Sequence, residues 1–209
     1  GLLLIYSVDM KRSDKSEATR QHILDTSFEL VLRKGFVGVG LQEILKACDV
    51  PKGSFYYYFA SKEDFGCALL EQYIRDYKVK VEQLWLQTDG SAYARLMTLW
   101  QAWIEDPTHG GWAENCLIVK LAAEVSDLSE DMRQILNFGV NKLTGRVASL
   151  LQEGQQEGSI PPHIDPNKMA QVMYQLWFGA ALLTKLAQDK APLYLALETT
   201  QNLLVPIKE

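Results

Sequence analysis

Apolar residues recur three and four positions apart along almost the whole chain, and no segment shows the two-residue alternation of a half-buried strand. This periodicity predicts an all-α fold of about nine helices. Three short helices fall within the first sixty residues. The remaining helices follow one another to the C-terminus, without internal repeats or low-complexity tracts.

The first helix is predicted to begin with Ser16 as its N-cap and to end at Gly35, which can take the left-handed backbone conformation. A second helix is predicted over residues 41–47, and Pro51 is expected at the first position of a third. A tight turn joins the second and third helices. Together the three helices form a helix-turn-helix unit.

Polar residues that can cap a helix predict where the later helices begin. Ser61 and Asp64 resemble a capping box at the start of the fourth helix. Ser129 is a plausible cap for the seventh, and Asp165 followed by Pro166 is typical of the start of the eighth.

The pattern divides the chain into three parts. We expect residues 1–15 to be disordered or left over from expression, and residues 16–62 to form the helix-turn-helix unit. Residues 63–209 are expected to form a second, helical domain.

The third helix has an apolar side and an unusual polar side. Phe55 and Phe59 lie one turn apart and can point inward with Val50. The residues that remain for the other faces are Lys52, Gly53, Ser54, Tyr56 and Tyr57. A lysine and several hydroxyl groups suit phosphate oxygens, and a helix of this kind fits the major groove of B-DNA. The alternative is that the tyrosines pack on neighbouring helices.

The composition of the chain argues against several classes of protein. The content of 47% hydrophobic and 22% charged residues is ordinary for a globular domain, and no apolar run is long enough to span a membrane. The three cysteines are odd in number and far apart, which argues against a disulfide framework and favours the reducing environment of the cytoplasm. The three histidines lack metal-ligand spacing, and no catalytic triad or phosphate loop is evident. We therefore expect neither an enzyme nor a cofactor.

Charge is unevenly distributed. The chain carries a net charge of −5, whereas residues 11–62 hold nine Lys or Arg against six Asp or Glu. A mildly basic N-terminal quarter can face phosphates while the acidic remainder stays in solution.

Residues 16–70 resemble the DNA-binding domain of the TetR family of repressors, above all in the run 50–63, VPKGSFYYYFASKE. The resemblance implies a cytoplasmic, nucleoid-associated homodimer that binds palindromic double-stranded operator DNA. It also implies that residues 16–62 are the DNA-binding domain and that residues 63–209 are the domain for ligand binding and dimerisation. It places seven residues at the DNA: Gln42, Lys52, Gly53, Ser54, Tyr56, Tyr57 and Lys62. One departure is Gly40, where the family usually has a Ser or Thr that caps the second helix and touches phosphate.

Cys116 follows Asn115, which is a good N-cap for the sixth helix, and a helix N-terminus can lower the pKa of a thiol. The alternative is a buried, inert cysteine, a description that also suits Cys48 and Cys67.

Residues 116–133 resemble the electrophile-sensing branch of the TetR family, whose repressors control reductases that detoxify N-ethylmaleimide, quinones and reactive aldehydes. The resemblance implies that Cys116 is a redox sensor and that Lys185 on the eighth helix is its partner. Ser126 stands where that branch can carry a second cysteine, so the resemblance supports a switch with one cysteine and not a disulfide.

Aromatic residues of the C-terminal part are candidates for an apolar ligand pocket or for ordinary core. They are Trp85, Tyr93, Trp100, Trp103, Trp112, Tyr174 and Trp177. The small residues 179–181 of the eighth helix allow close helix packing, and with the ninth helix they resemble the four-helix dimer interface of the family.

The sequence thus predicts a regulator, acting as a repressor, that a small molecule or an electrophile releases from its operator. A regulator with a non-covalent apolar ligand and no redox role for cysteine is the alternative. A helical enzyme or a peptide-binding adaptor is the alternative from another class.

Overall fold

The computed structural model describes residues 2–204 except residue 109, and it describes side chains from residue 15 onward. This part of the chain contains nine α-helices and no strand, which confirms the predicted fold class. The helices are α1 (Leu2–Lys34), α2 (Leu41–Cys48), α3 (Lys52–Tyr58), α4 (Lys62–Leu86), α5 (Ala92–Ile104), α6 (Leu117–Leu128), α7 (Glu130–Glu157), α8 (Pro166–Ala187) and α9 (Ala191–Leu203). None of the described helices is both long and apolar enough to cross a membrane.

Contacts divide the chain into two compact units. The first comprises Gly1–Gln72 and Lys120–Ile135, and the second comprises Tyr73–Val119 and Leu136–Glu209. The helix-turn-helix unit predicted over residues 16–62 lies within the first. The helices α4, α6 and α7 each contribute residues to both units.

The start of α1 differs from the prediction. The helix begins at Leu2, so Ser16 lies inside it and the predicted N-cap is wrong. The segment contains neither proline nor glycine between residues 2 and 34, so nothing in its sequence interrupts the backbone hydrogen bonds. Gly35 ends α1 as predicted, with φ +81°, and its N–H donates to the Val31 carbonyl at 2.8 Å.

The other predicted caps are mostly confirmed. Ser61 Oγ accepts from the Asp64 N–H at 3.0 Å, and the Asp64 carboxylate accepts from the Ala60 N–H at 2.9 Å. Ser129 Oγ accepts from the Met132 N–H, and the Asp165 carboxylate accepts from two amides of the first turn of α8. Pro51 is the N-cap of α3 and not its first residue, because the helix begins at Lys52.

Each unit has its own core. In the first, Ile23, Leu24 and Val31 of α1 and Ile44 of α2 are fully buried. In the second, Trp100 of α5 stacks on Trp177 of α8, with centroids 4.6 Å apart and the rings nearly parallel. Trp103 packs edge-on against both indoles. Burial of aromatic rings on this scale is a major stabilising contribution in a small helical domain.

Candidate nucleic-acid interface and cysteine site

The turn between α2 and α3 fixes the direction of α3. Asp49 adopts the left-handed conformation, with φ 54°, and ends α2. The Val50 N–H then donates to the Leu45 carbonyl at 3.1 Å. Asn and Asp tolerate this conformation better than most residues, so the aspartate suits the position.

Two phenylalanines hold α3 against the first unit. Phe55 and Phe59 are almost fully buried, and their ring centroids lie 5.2 Å apart. Both also contact Phe65 of α4, at 5.5 and 5.4 Å. The inward orientation predicted for Phe55 and Phe59 is therefore confirmed.

The opposite face of α3 is open to solvent. Tyr57 is 75% exposed and Tyr56 is 45% exposed, while Lys52 lies beside Tyr56 with its Nζ 5.9 Å from the ring centroid. Gly53 is exposed, and a Cβ added there would meet nothing within 4 Å. Packing inside the chain therefore does not require a glycine at this position. Ser54 is half-buried.

Gln42 of α2 belongs to the same surface. It is exposed and lines a shallow depression together with Lys46, Val50 and Lys52. Gly40, the N-cap of α2, makes no side-chain capping bond, as expected from the missing hydroxyl. The surface formed by Gln42, Lys52, Gly53, Tyr56 and Tyr57, which we call the α3 face, thus combines positive charge, hydroxyl groups and a site of close approach.

Lys62 has a local structural contact. Its Nζ donates to the Phe36 carbonyl at 2.9 Å and lies 4.7 Å from the Phe36 ring centroid. Burial lowers the pKa of Lys62, and the nearby Glu124 carboxylate opposes this effect. The lysine therefore helps to hold the turn between α1 and α2, and a DNA contact through its remaining donors stays a prediction.

Residues of α6 also hold this turn, which no local pattern in the sequence indicates. Glu124 Oε1 accepts from the Val37 N–H at 2.5 Å, and Lys120 Nζ donates to the Arg33 carbonyl at 3.2 Å. A Cβ added to Gly35 would lie 2.7 Å from Glu124 Oε2. The turn that precedes α2 is therefore fitted closely to one face of α6.

Cys116, and not Asn115, occupies the N-cap position of α6, because the helix begins at Leu117. Its side chain is only 2% exposed. Burial raises the pKa of the Cys116 thiol. Hydrogen bonds from the Val119 and Ile118 amides and from the Tyr73 side chain, together with the charge of Lys185, act in the opposite direction. The structure thus brings Cys116 and Lys185 into one site, in which the thiol is mainly protonated at neutral pH.

The other two cysteines have different surroundings. Cys48 is buried and its pKa is raised by burial. Cys67 is half-buried, and desolvation together with neighbouring carboxylates raises its pKa to about 11. Over the described residues, no cluster of His, Cys, Asp or Glu is suited to a metal ion.

The seven predicted pocket residues separate into three groups. Trp100, Trp103 and Trp177 form the packed core of the second unit. Trp85 and Tyr174 instead line a cavity of about 440 Å³ bounded by α4, α5, α7 and α8, which we call the α4–α7 cavity. The two remaining candidates do not line it. Trp112 packs edge-on against Tyr77, and Tyr93 is half-buried at the start of α5.

The helices α8 and α9 carry a band of exposed apolar side chains. They are Val172, Leu182, Leu183 and Leu186 on α8, and Tyr194 and Leu195 on α9. Gly179 is exposed within the same helix, whereas Ala180 and Ala181 pack inside the chain. Exposed apolar side chains grouped on two helices in this way are typical of a surface that associates with another protein.

Comparison with known proteins agrees with this geometry. Residues 23–66 match the family described as "Bacterial regulatory proteins, tetR family", and residues 92–200 match "Tetracyclin repressor-like, C-terminal domain". The HTH-type transcriptional repressor NemR of Escherichia coli (strain K12) is 39% identical over 186 residues, which cover 89% of this chain and 94% of NemR.

Solved structures give the same result. A crystal structure of the reduced form of E. coli NemR superposes with a TM-score of 0.82 at 40% identity, covering 90% of this chain and 97% of that chain. A crystal structure of a transcriptional regulator of the TetR/AcrR family superposes with a TM-score of 0.80 at 58% identity, covering 90% of this chain and all of the other.

Proposed function

The chain belongs to the TetR family of transcriptional regulators, and on this basis we propose that it is a repressor that binds a palindromic operator as a homodimer and releases it on modification of Cys116. The relatives described above are named as transcriptional repressors or regulators. The protein is accordingly a regulator and not an enzyme. The exposed α3 face is the structural observation that most directly supports a DNA-binding role.

The α3 face supports DNA binding through its chemistry. The lysine supplies charge for phosphates, the tyrosine hydroxyls can bond phosphate oxygens, and Gly53 permits close approach of the backbone. Large exposed side chains such as Tyr57 gain nothing from contact with water, so a surface that displays two of them is suited to a partner. The two phenylalanines beneath keep that surface rigid.

The exposed apolar band on α8 and α9 supports the homodimer. Family members act as dimers, and burying these leucines against a second copy removes apolar surface from water at about 25 cal/mol per Å². A two-fold axis through such an interface would present two α3 faces to DNA. Recognition helices about one turn of DNA apart, roughly 34–36 Å, can enter successive major grooves.

We expect Lys52→Ala and Tyr56→Ala each to weaken operator binding by about 1–3 kcal/mol without loss of folding or dimerisation. Both side chains are exposed, so their removal leaves no cavity. The lysine variant should also reduce the salt dependence of binding, because one phosphate contact fewer releases one counterion fewer. Gel-shift titrations over a range of salt concentrations, on a palindrome selected from random DNA by the wild-type chain, measure both effects.

Lys168→Ala is the matched control for charge. Lys168 lies on α8 in the second unit, and its side chain is 84% exposed. If both α3 variants bound the selected DNA as tightly as Lys168→Ala does, the α3 face would not be the recognition surface.

The charge of Lys185 and the amides at the start of α6 support an electrophile sensor, because they stabilise the Cys116 thiolate against the burial that disfavours it. A maleimide adds to the thiol with formation of a carbon–sulfur bond, the thiol proton passes to the neighbouring carbon, and no group leaves. The adduct cannot fit a site in which Cys116 is only 2% exposed, so the first turn of α6 must move. The same helix carries Lys120 about one turn further along and Glu124 about two turns further along, and both hold the turn before α2.

The relation to NemR supports the same proposal, because the NemR structure is described as a reduced form. Ser126 is exposed and its hydroxyl donates to the Ala122 carbonyl. Because serine has no sulfur atom, no disulfide can form at that position, and we propose a switch with one cysteine.

Cys116→Ser is expected to retain operator binding and to lose its response to N-ethylmaleimide or hypochlorite. In the wild-type chain the same treatment should weaken binding by at least about tenfold, within the usual range of allosteric coupling. Gel-shift titrations before and after treatment, with mass spectrometry of the modified site, provide the measurement.

Cys67→Ser is the control, because Cys67 is the more exposed thiol. This variant should respond as the wild-type chain does. Equal loss of DNA affinity in Cys116→Ser and the wild-type chain would remove Cys116 from the mechanism.

A further inference from the structure

Tyr73 of α4 lies directly against the Cys116 site. Its hydroxyl donates a hydrogen bond to the Cys116 side chain and accepts one from the Leu117 amide. Leu117 is the first residue of α6, so its N–H cannot be paired inside that helix. All three residues belong to the second unit. A single hydroxyl of α4 therefore contacts both the first amide of α6 and the sulfur atom.

The Tyr73 hydroxyl keeps its proton throughout the neutral range. Tyr73 is half-buried, and its hydroxyl is the buried end of the side chain, where desolvation raises the pKa of Tyr73 well above its ordinary value. A thiol sulfur is a weak acceptor, whereas a thiolate is a strong one. The bond from Tyr73 therefore becomes stronger when Cys116 loses its proton, and it favours the thiolate.

Other ionisable side chains also face Cys116. Tyr77 of α4 and Tyr174 of α8 interact with the thiol through charge. Lys185 of α8 supplies a positive charge that favours the thiolate, with a smaller effect than the hydrogen bond from Tyr73. Among these side chains, Tyr73 therefore does most to offset the burial of the sulfur.

We propose that Tyr73 is part of the electrophile sensor, and that its hydroxyl stabilises the Cys116 thiolate and so sets the rate at which Cys116 attacks an electrophile. The thiolate, and not the thiol, is the nucleophile. Because burial disfavours the anion at Cys116, the loss of one donor reduces both the thiolate fraction and the rate. The regulatory meaning of this reaction rests on the proposed function, whereas the reaction itself is measured without DNA.

The test is the rate of alkylation of Cys116 by iodoacetamide in the full-length protein, over a range from about pH 6 to pH 10. The thiol proton passes to solvent, the thiolate forms a carbon–sulfur bond to the methylene carbon, and iodide leaves. Peptide mass spectrometry follows Cys116 and Cys67 in the same sample. Tyr73→Phe should slow the reaction of Cys116 about tenfold near pH 7, the size expected for one hydrogen bond to a charged group. The midpoint of its pH profile should rise by about one pH unit, while the rate at Cys67 stays unchanged.

Tyr77→Phe is the matched control. Tyr77 lies one turn further along α4, and its hydroxyl accepts from Trp103 Nε1 at 2.8 Å. The variant should keep the wild-type midpoint at Cys116. If Tyr73 had only a packing role, its truncation would expose the thiol and speed the reaction at every pH without moving the midpoint. An equal or faster reaction of Tyr73→Phe near pH 7, or an unchanged midpoint, would overturn the proposal.

A second variant covers the case in which Tyr73→Phe does not fold, which circular dichroism would show. It carries 3-fluorotyrosine in place of Tyr73, introduced by genetic code expansion. Fluorine changes the shape of the ring little and makes the hydroxyl a stronger donor. This chain should react faster at Cys116 near pH 7 than the wild-type chain, with a lower midpoint. An unchanged or slower reaction would overturn the proposal.

Failure of the proposed function has a different signature. Operator binding by the alkylated wild-type chain is measured separately by gel shift. If Tyr73 controls the alkylation rate but the alkylated chain binds its operator with unchanged affinity, the Tyr73 proposal would be supported and the sensor role of Cys116 contradicted.

Discussion

Phe55→Ala is expected to lower the free energy of unfolding of the first unit by about 3–5 kcal/mol and to abolish measurable operator binding. Phe55 is fully buried, and its ring contacts those of Tyr56, Phe59 and Phe65. Truncation removes these contacts and leaves a cavity under a helix of seven residues. A helix this short has little stability of its own, and its orientation therefore depends on the buried Phe55 ring.

Tyr57→Ala is the control within the same helix. Tyr57 is mostly exposed, so its removal should change the free energy of unfolding by less than about 0.5 kcal/mol and still weaken DNA binding. Chemical denaturation followed by circular dichroism separates the two variants. If Phe55→Ala were as stable as Tyr57→Ala, Phe55 would not anchor α3.

Trp177→Ala should lower the free energy of unfolding of the second unit by a similar amount, about 3–5 kcal/mol. The substitution removes a ring that stacks on Trp100, and a hydrogen bond from the indole Nε1 to Thr200 Oγ1 at 3.0 Å. Trp177→Phe keeps most of the apolar burial and loses the hydrogen bond, so its stability should be intermediate.

Leu86→Ala is the control for this unit. Leu86 ends α4 and is 85% exposed, so its truncation should have little effect on unfolding measured by denaturant titration. An unfolding midpoint for Trp177→Ala equal to that of Leu86→Ala would contradict a core built around the Trp100–Trp177 stack.

Features that depend on a few neighbouring residues could be predicted from the sequence. The capping serines and Asp165 act on amides two or three residues away, and the left-handed Gly35 ends the helix to which it is attached. The burial of Phe55 and Phe59 follows from their spacing of one helical turn. Their effects are local, so local patterns reveal them.

Features that depend on distant residues could not be predicted. Glu124 and Lys120 each reach a backbone group 87 residues away, and no local pattern signals such a pairing. The hydrogen bond from Lys62 to the Phe36 carbonyl is of the same kind, because it joins residues that are 26 positions apart in the sequence. The contacts that hold the turn before α2 are therefore known only from the structure.

Two further differences between the sequence-based predictions and the structure have physical reasons. Core and cavity wall are both apolar, so spacing alone could not separate Trp100 and Trp177 from Trp85. For Cys116 the helix dipole favours the thiolate, but burial outweighs it and raises the pKa of the thiol. Burial of that side chain is set by packing around the start of α6, which the sequence pattern does not fix.

The spacing of half-sites tests the central claim, that two copies of the α3 face enter successive major grooves together. A palindrome selected by the wild-type chain is compared with the same duplex lengthened between its half-sites by about half a helical turn, roughly five base pairs. The account predicts two chains per selected duplex, and a loss of affinity of at least about tenfold for the lengthened one. Equal affinity for both duplexes, or binding of a single chain to the selected palindrome, would contradict it.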